Sequence, residues 1–140
     1  MKPLLTATLL GLLAAPAFAE GDAARGEDDF KKCKSCHSIV SDSGETIVKG
    51  GKTGPNLWGV VGRTAGTAAD YKYGDDIAAA GAAGLVWDED SFTTYVQDPR
   101  EFLRSYLDDS KAKSKMSFKL KSGGEDIFAF LAAHGPAASQ

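Results

Sequence analysis

Two cysteines and a histidine lie within one five-residue stretch of the chain, Cys33-Lys34-Ser35-Cys36-His37. Cys33 and Cys36 are the only cysteines of the sequence, and His37 is one of its two histidines. This C-x-x-C-H spacing is the attachment pattern of a c-type haem. Each sulfur can add to one vinyl group of the porphyrin, and the histidine can reach the iron as the proximal ligand. The motif therefore predicts one covalently bound haem c per chain.

The same two thiols have other chemistry open to them. Two cysteines in an exported protein can form a disulfide, and a C-x-x-C pair can serve as a thioredoxin-like redox centre. The redox motif occurs in a β-α-β setting, whereas this sequence offers helices and glycine-rich loops. We therefore favour haem attachment over a disulfide or a thiol redox centre.

The second axial position of the iron has few candidates in this sequence. Met1 lies in the leader described below, which leaves Met116, with His134 and the lysines as alternatives. A lone methionine is usually core filler, but lysines and serines flank Met116 instead of apolar neighbours. A thioether is a soft, neutral donor that favours ferrous iron, so we predict Met116 as the ligand. The alternative role for His134 is packing near a helix end, where its cationic form suits the helix dipole.

Residues 1–19 have the pattern of a signal peptide. Lys2 supplies a positive start, Leu4 to Ala15 form an apolar stretch, and Ala17-Phe18-Ala19 is an A-x-A cleavage site. The apolar stretch is shorter than the roughly 20 residues that span a bilayer, so an uncleaved anchor is the less favoured alternative. We expect export to the periplasm, cleavage before Glu20, and no membrane span in the mature chain.

The chain has a net charge of −3, and removal of Lys2 with the leader makes the mature protein one unit more negative. Such a charge argues against general binding to nucleic acid. Residues 20–140 have the length of one small domain, and we find no repeat or linker that divides them. We expect a single domain whose last residues, 136–140, form a flexible tail.

Helical patterns account for most of the expected regular structure. Helices are predicted over about 22–33 and over about 124–134. Between them, one helix is predicted from after Asp88 to before Pro99, and the next begins at once with Asp98 as its N-cap. A short helix at most is predicted within 77–84. Gly26 and Phe30 share a face of the first helix, and a glycine there indicates close approach by another element. Residues 41–66 are glycine-rich and are predicted to be loops, and nothing supports a substantial sheet. The fold class is therefore all-α, with about four or five short helices and long loops.

The motifs of the chain, taken in order, resemble those of class I cytochromes c, and among these the bacterial cytochromes c2. They are Gly26 and Phe30, Cys33-x-x-Cys36-His37, Thr53-Gly54-Pro55-Asn56-Leu57, Gly62-Arg63, Trp87, Tyr95, Pro99, Met116-Ser117-Phe118, and Ile127 to Leu131. C-x-x-C-H alone indicates only a c-type haem, whereas the complete ordered series is specific. The resemblance implies a class I cytochrome c fold in which short helices and loops wrap around one covalent haem.

The resemblance also implies roles for individual residues around the haem. Pro55 matches the proline whose carbonyl accepts the Nδ1 proton of the proximal histidine and so fixes its ring. Arg63, Tyr73 and Trp87 match residues around the haem propionates, where their donors offset buried charge. Tyr95 matches a tyrosine near the ligand methionine. The resemblance also implies that the two terminal helices pack together, with Gly26 and Phe30 of the first helix against Ile127 and Phe130 of the last.

A haem iron with both axial positions filled by the protein suits electron transfer, because no position is open to a substrate. The resemblance implies a diffusible, monomeric carrier that takes electrons from a cytochrome bc1 complex. It would pass them to a photosynthetic reaction centre, a terminal oxidase or another periplasmic acceptor. The alternative is a haem enzyme or gas sensor, which needs a displaceable methionine and a distal polar group. No catalytic constellation stands out, so we predict a carrier and not an enzyme.

Lysines cluster beside the attachment motif and around Met116. They are Lys31, Lys32, Lys34, Lys111, Lys113, Lys115, Lys119 and Lys121. We interpret them as a docking face for membrane redox complexes, since such a face can raise association rates by about 10–10³ at low salt. The opposing acids, among them Asp75, Asp76, Asp88 and Asp108, are expected to lie largely elsewhere. The alternative is that the lysines simply solvate loops.

Overall fold

The computed structural model describes residues 21–136. The signal peptide expected for residues 1–19 and the tail residues 137–140 lie outside this range. Within it the chain forms five helices: α1 Ala23–Asp29, α2 Asp75–Ala82, α3 Glu89–Gln97, α4 Pro99–Leu107 and α5 Gly124–Ala132. No helix in this part of the chain has the length and apolar character needed to cross a bilayer.

Side-chain caps decide where α3 and α4 begin. The Asp88 carboxylate accepts a hydrogen bond from the Ser91 backbone N–H at 2.8 Å, and the Ser91 hydroxyl closes a capping box with the Asp88 backbone. Asp98 accepts from the Glu101 N–H at 3.1 Å and so caps the helix that Pro99 begins. Both helix starts are as predicted. The short helix α2 begins two residues before the expected segment 77–84, with acidic residues in its first turn that suit the helix dipole.

The first helix is shorter than the predicted range 22–33. The α-helix ends at Asp29, and a 3-10 turn over Phe30–Lys32 continues the chain. The Cys33 N–H then bonds the carbonyl of Phe30 at 2.8 Å, the i to i+3 pattern of a tightened helix end. This tightening buries the Phe30 side chain, which is only 1% exposed, and leaves Lys31 and its neighbour on the surface.

The prediction that residues 41–66 are all loop is wrong over one short stretch. β1 Ile39–Val40 pairs with β2 Thr46–Val48 in an antiparallel two-stranded ribbon, with an irregular register between Ile39 and Val40. The turn closes through a hydrogen bond from the Gly44 N–H to the Ser41 carbonyl at 2.9 Å, and Gly44 has a φ of +87°. Five β-branched residues form these strands, which favours extended backbone. The ribbon is small, so the mainly helical fold class stands.

The two terminal helices meet at Gly26. A Cβ at this position would collide with the carbonyl oxygen of Asp126 and lie 2.9 Å from the Cβ of Phe130, so α1 and α5 approach with backbone against backbone. The rings of Phe30 and Phe130 pack with centroids 5.6 Å apart, and Ile127 is 2% exposed. The predicted close approach at Gly26 and the predicted pairing of the terminal helices are confirmed.

The remaining helices are joined to this pair through α3. α3 contacts both α5 and α4, and α2 contacts α4. Between them, backbone hydrogen bonds join two distant loops: the Gly62 N–H donates to the Trp87 carbonyl at 2.8 Å, and the Trp87 N–H donates to the Arg63 carbonyl at 3.0 Å. This pairing places Arg63 next to Trp87, although the two are far apart in sequence.

Replacement of Gly26 by alanine should destabilise the protein. Alanine normally favours a helix over glycine, but here its methyl group must push the α5 backbone away. We expect Gly26→Ala to lower the free energy of unfolding by about 2 kcal/mol or more, at the upper end of overpacking costs. Urea unfolding of the purified protein measures this.

The control is Gly74→Ala, whose added Cβ would meet only the Lys115 side chain at 3.6 Å, an ordinary contact. This variant should lose less than about 1 kcal/mol in the free energy of unfolding. That small loss is expected because glycine is a better N-cap than alanine for α2. Equal stability of Gly26→Ala and the native protein would contradict the close approach of α1 and α5.

Candidate functional site

One cavity of about 300 Å³ collects the residues that the sequence singled out. Its lining includes all nine of them: Cys33, Cys36, His37, Pro55, Arg63, Tyr73, Trp87, Tyr95 and Met116. Buried side chains of the core, among them Phe30, Ile127 and Leu131, form part of its wall. Such a concave, largely apolar site with a few polar groups is typical of cofactor binding.

The imidazole of His37 is held by a single hydrogen bond. Its Nδ1 lies 2.8 Å from the carbonyl oxygen of Pro55, so Nδ1 carries the proton and donates it. Burial lowers the pKa of His37 below its ordinary value of 6.5, and the bond to Pro55 opposes part of that shift. The ring is therefore neutral at pH 7, and Nε2 keeps a free lone pair that can bind a metal.

Gly54 is the residue that lets this ring fit. A Cβ at position 54 would collide with the ring of His37 and lie 2.6 Å from its Nδ1. The Gly54 N–H donates to the Cys36 carbonyl at 2.8 Å, which joins the proline segment to the attachment motif. The missing side chain thus allows the backbone before Pro55 to lie flat against the imidazole.

The two thiols at the cavity differ in environment. Cys33 is half-buried, and desolvation raises its pKa to about 11. Cys36 is exposed, and hydrogen bonds from Thr53 and Ser35 lower its pKa. The two sulfurs do not form a disulfide with each other. Each could form a thioether bond to a vinyl group, which uses a reduced sulfur.

Arg63 brings a positive charge into the cavity lining. Its guanidinium donates to the carbonyl of Trp58 at 2.9 Å and to that of Asn56 at 3.3 Å. Burial lowers the pKa of Arg63, and the neighbouring Tyr73 hydroxyl opposes the shift, so the group stays charged. The Tyr73 hydroxyl also accepts from the Ala68 N–H at 3.1 Å. This arrangement can offset the charge of a bound carboxylate.

Met116 lies in a segment without regular secondary structure, Lys113 to Lys121. Its side chain is half-buried and packs against the hydrophobic core. The hydroxyl of Ser114 donates to the Met116 carbonyl at 2.9 Å, and the buried Tyr95 hydrogen-bonds Ser114 in turn. Met116 is therefore held in the cavity wall by polar contacts rather than by a helix.

His134, the other histidine, lies elsewhere. Its ring packs edge-on against Phe130 with centroids 4.8 Å apart, near the end of α5. It is not among the residues that line the cavity. The structure therefore supports the packing interpretation of His134, whereas Met116 lines the cavity.

The chain is closely similar to known bacterial cytochromes. It is 72% identical over 120 residues to cytochrome c-551 of Roseobacter denitrificans, a match that covers 86% of each chain. It is 59% identical over 135 residues to cytochrome c2 of Rhodobacter capsulatus, covering 95% of this chain and 98% of that one. The chain belongs to the cytochrome c2 family. No model of a protein family matches it.

Solved structures of the cytochrome c2 family have the same fold. The cytochrome c2 of Rhodobacter capsulatus matches with a TM-score of 0.79 at 60% identity, over 81% of this chain and 97% of that one. Ferric cytochrome c-550 of Paracoccus versutus matches with a TM-score of 0.80 at 50% identity, over 84% and 100%. The predicted class I cytochrome c fold is confirmed. Members of this family carry one covalently attached haem c and transfer electrons, and they are not enzymes.

The residues of the cavity fit such a haem. It is lined by two cysteine sulfurs at the C-x-x-C-H spacing, a neutral imidazole with an available Nε2, and a thioether sulfur. The flat space that Gly54 leaves beside the ring of His37 suits an imidazole that must be held in one orientation. The donor set, two sulfurs for attachment and a nitrogen with a sulfur for iron, is that of a c-type haem.

The proposed docking lysines lie in a more mixed electrostatic setting than the sequence indicated. Three of the eight form ion pairs with carboxylates: Lys31 with Asp28, Lys32 with Asp29, and Lys119 with Asp98. The acids are expected to lie largely elsewhere, and Asp76 is an exception: its carboxylate accepts from the backbone N–H of Lys113 at 2.7 Å. Lys32, Lys113 and Lys115 line the cavity.

Sequence reasoning missed Tyr71 and Ser114. The Tyr71 hydroxyl donates to the Thr53 carbonyl at 2.9 Å, and both residues line the cavity, as does Ser114. Tyr71 sits two residues before Tyr73, a spacing that places two aromatic rings in one short loop. That pair of tyrosines was the available signal. Ser114 had none, because a serine among lysines is indistinguishable from an ordinary solvated loop.

Replacement of Gly54 by alanine should displace the imidazole of His37. The added methyl must push the ring aside, so the hydrogen bond to Pro55 lengthens or breaks. We expect a loss of about 1–3 kcal/mol in the free energy of unfolding, the usual cost of overpacking. We also expect shifted imidazole proton resonances in the NMR spectrum of the reduced protein. Lys52→Ala, an exposed change in the same segment, should leave those resonances in place; unmoved resonances in Gly54→Ala would exclude the close contact.

Proposed function

We propose that this chain is a periplasmic electron carrier with one haem c. In this proposal Cys33 and Cys36 form the thioethers, and His37 and Met116 are the two axial ligands of the iron. The haem supplies a reversible one-electron Fe(III)/Fe(II) couple when bound. The carrier would take one electron from a cytochrome bc1 complex and deliver it to a reaction centre, a terminal oxidase or another periplasmic acceptor.

One observation carries the proposal: the same cavity is lined by the attachment motif, by His37 and by Met116. The bond from His37 Nδ1 to the Pro55 carbonyl leaves Nε2 as the only ring nitrogen that can bind iron. Met116 contributes a neutral sulfur, which favours ferrous iron and raises the reduction potential above that of bis-histidine ligation. A coordination sphere closed by two protein ligands suits electron transfer and leaves no position for a substrate.

The surroundings of the cavity support fast electron transfer without large rearrangement. His37 is fixed by a hydrogen bond, and the Met116 segment is held by Ser114 and Tyr95. Arg63 and Tyr73 match the residues that the family resemblance places around the propionates, and both line the cavity with Trp87. Groups that are already in place need little motion when the charge of a site changes by one unit.

Met116→Ala should remove the proposed sulfur ligand. The oxidised protein should lose the weak red-region charge-transfer band of methionine-ligated ferric haem, and the reduced variant should bind carbon monoxide rapidly because an axial position is open. The native reduced protein should bind carbon monoxide poorly at neutral pH. Absorption spectra of both proteins measure both effects.

Ser117→Ala is the matched control, an exposed neighbour whose change should preserve the band. A band that persists in Met116→Ala would show that Met116 is not the ligand. Rapid, tight binding of carbon monoxide by the native protein would instead favour the gas-sensor or enzyme alternative.

The lysine-rich surface supports docking to an acidic partner. We propose that Lys31, Lys32, Lys34, Lys111, Lys113, Lys115, Lys119 and Lys121 form that surface. Two of them, Lys113 and Lys115, line the cavity beside Met116 together with the 43%-exposed ring of Phe118. Apolar contact surrounded by positive charge is the arrangement that gives both attraction and a close fit at a transient interface.

Electron transfer to a membrane partner should therefore slow with ionic strength. We expect the bimolecular rate to fall by about tenfold or more between low salt and ~0.3 M, where the Debye length is only a few ångströms. Stopped-flow kinetics with purified membranes measure the rate. Lys113→Gln should lower the low-salt rate more than Lys49→Gln, since Lys49 does not line the cavity. A flat response to salt, or equal effects of both variants, would count against this surface.

A further inference from the structure

We propose that Lys115 is a positioning residue that holds Met116 in the cavity, an inference that rests on the proposed function of Met116 as an iron ligand. The Nζ of Lys115 donates a hydrogen bond to the backbone carbonyl of Lys72 at 2.7 Å. The two residues are 43 positions apart in sequence. This contact joins the residue next to Met116 to the loop that precedes α2.

The rest of the Lys115 side chain follows the same loop. Its Nζ lies 5.9 Å from the centroid of the Tyr71 ring, within cation–π distance. Its aliphatic carbons run beside Gly74, where an added Cβ would meet Lys115 Cγ at 3.6 Å. The side chain therefore lies along residues 71–74 instead of extending into solvent, even though the residue as a whole is exposed.

Tyr71 continues the contact towards His37. Its hydroxyl donates to the carbonyl of Thr53 at 2.9 Å, and its ring packs edge-on against that of Tyr73 with centroids 4.8 Å apart. Thr53 directly precedes Gly54 and Pro55, the segment that accepts the proton of His37. A continuous set of contacts thus runs from the neighbour of Met116 to the segment that orients the imidazole.

The Met116 segment depends on side-chain contacts, because it has no helix or strand to fix it. Asp76 accepts from the Lys113 N–H at 2.7 Å, and Ser114 bonds the Met116 carbonyl at 2.9 Å. These two contacts act on the backbone, and the Lys115 side chain adds a bridge to a different loop. Loss of Lys115 should therefore loosen Met116 while the helical core remains folded.

The experiment compares Lys115→Leu with Lys111→Leu in the haem-loaded protein. Both variants remove one positive charge from the lysine-rich stretch 111–121, but only the first removes the bond to Lys72. Imidazole is the probe, since it replaces a loosely held axial methionine in ferric protein and abolishes the red-region band. We expect Lys115→Leu to bind imidazole at least about fivefold more tightly than the native protein, since a bond to a charged group is lost. Lys111→Leu should stay within about twofold of the native protein, as its exposed charge lies in high dielectric.

Equal imidazole affinity of Lys115→Leu and the native protein would overturn the proposal. So would an equal increase in both variants, which would indicate a charge effect. Tyr71→Phe tests the second contact, and we expect a smaller increase because the ring remains.

A native protein without the red-region band would instead show that Met116 is not a ligand, and the proposed function would fail. Amide hydrogen exchange over residues 114–118 then decides the role of Lys115 separately. Faster exchange in Lys115→Leu than in Lys111→Leu supports the bridge, and equal exchange rejects it.

Discussion

The contact between α1 and α5 at Gly26 is the constraint on which the rest of the molecule depends. It brings the two ends of the described chain together with their backbones in direct contact. Phe30, Ile127 and Leu131 are buried by this packing, and the same side chains form part of the cavity wall. The attachment motif begins three residues after Phe30. Helix packing therefore places Cys33 and His37 at the cavity.

The two sides of the site are held by different physical means. His37 follows a helical turn and is oriented by one hydrogen bond to Pro55, in a space that exists because residue 54 has no side chain. Met116 lies on irregular chain, and its position comes from Ser114, Tyr95 and the proposed bridge of Lys115. Local unfolding is least costly where few buried contacts hold the backbone, so the Met116 side is the more easily displaced. A carrier gains from a closed iron site, and in the proposed function this segment is where that closure would be weakest.

The lysines of the proposed docking face differ in their contacts, which a count of lysines does not show. Lys31, Lys32 and Lys119 form ion pairs with nearby carboxylates, and the Nζ of Lys115 donates a hydrogen bond to a backbone carbonyl. Exposed ion pairs of this kind contribute little to stability, but they limit how a lysine can meet a partner. In the proposed docking, the long-range field of the lysines would attract an acidic partner, and the lysines outside these contacts would adjust to it at close range.

Sequence alone determined the attachment motif, the family resemblance, the starts of α3 and α4 and the close approach at Gly26. Each of these depends on local signals: a fixed spacing, a capping side chain, a proline, or a glycine where a helix would prefer alanine. The short ribbon at Ile39–Val40, the 3-10 turn at Phe30 and the contacts of Tyr71 could not be predicted in this way. The ribbon and the contacts of Tyr71 depend on pairing between residues that are not adjacent in the chain. The 3-10 turn is a tightening of the end of α1 that accompanies the burial of Phe30. Tertiary structure alone decided that Lys115 bonds Lys72 and that Asp76 meets Lys113, because a charged side chain in a loop carries no sequence signal of its partner.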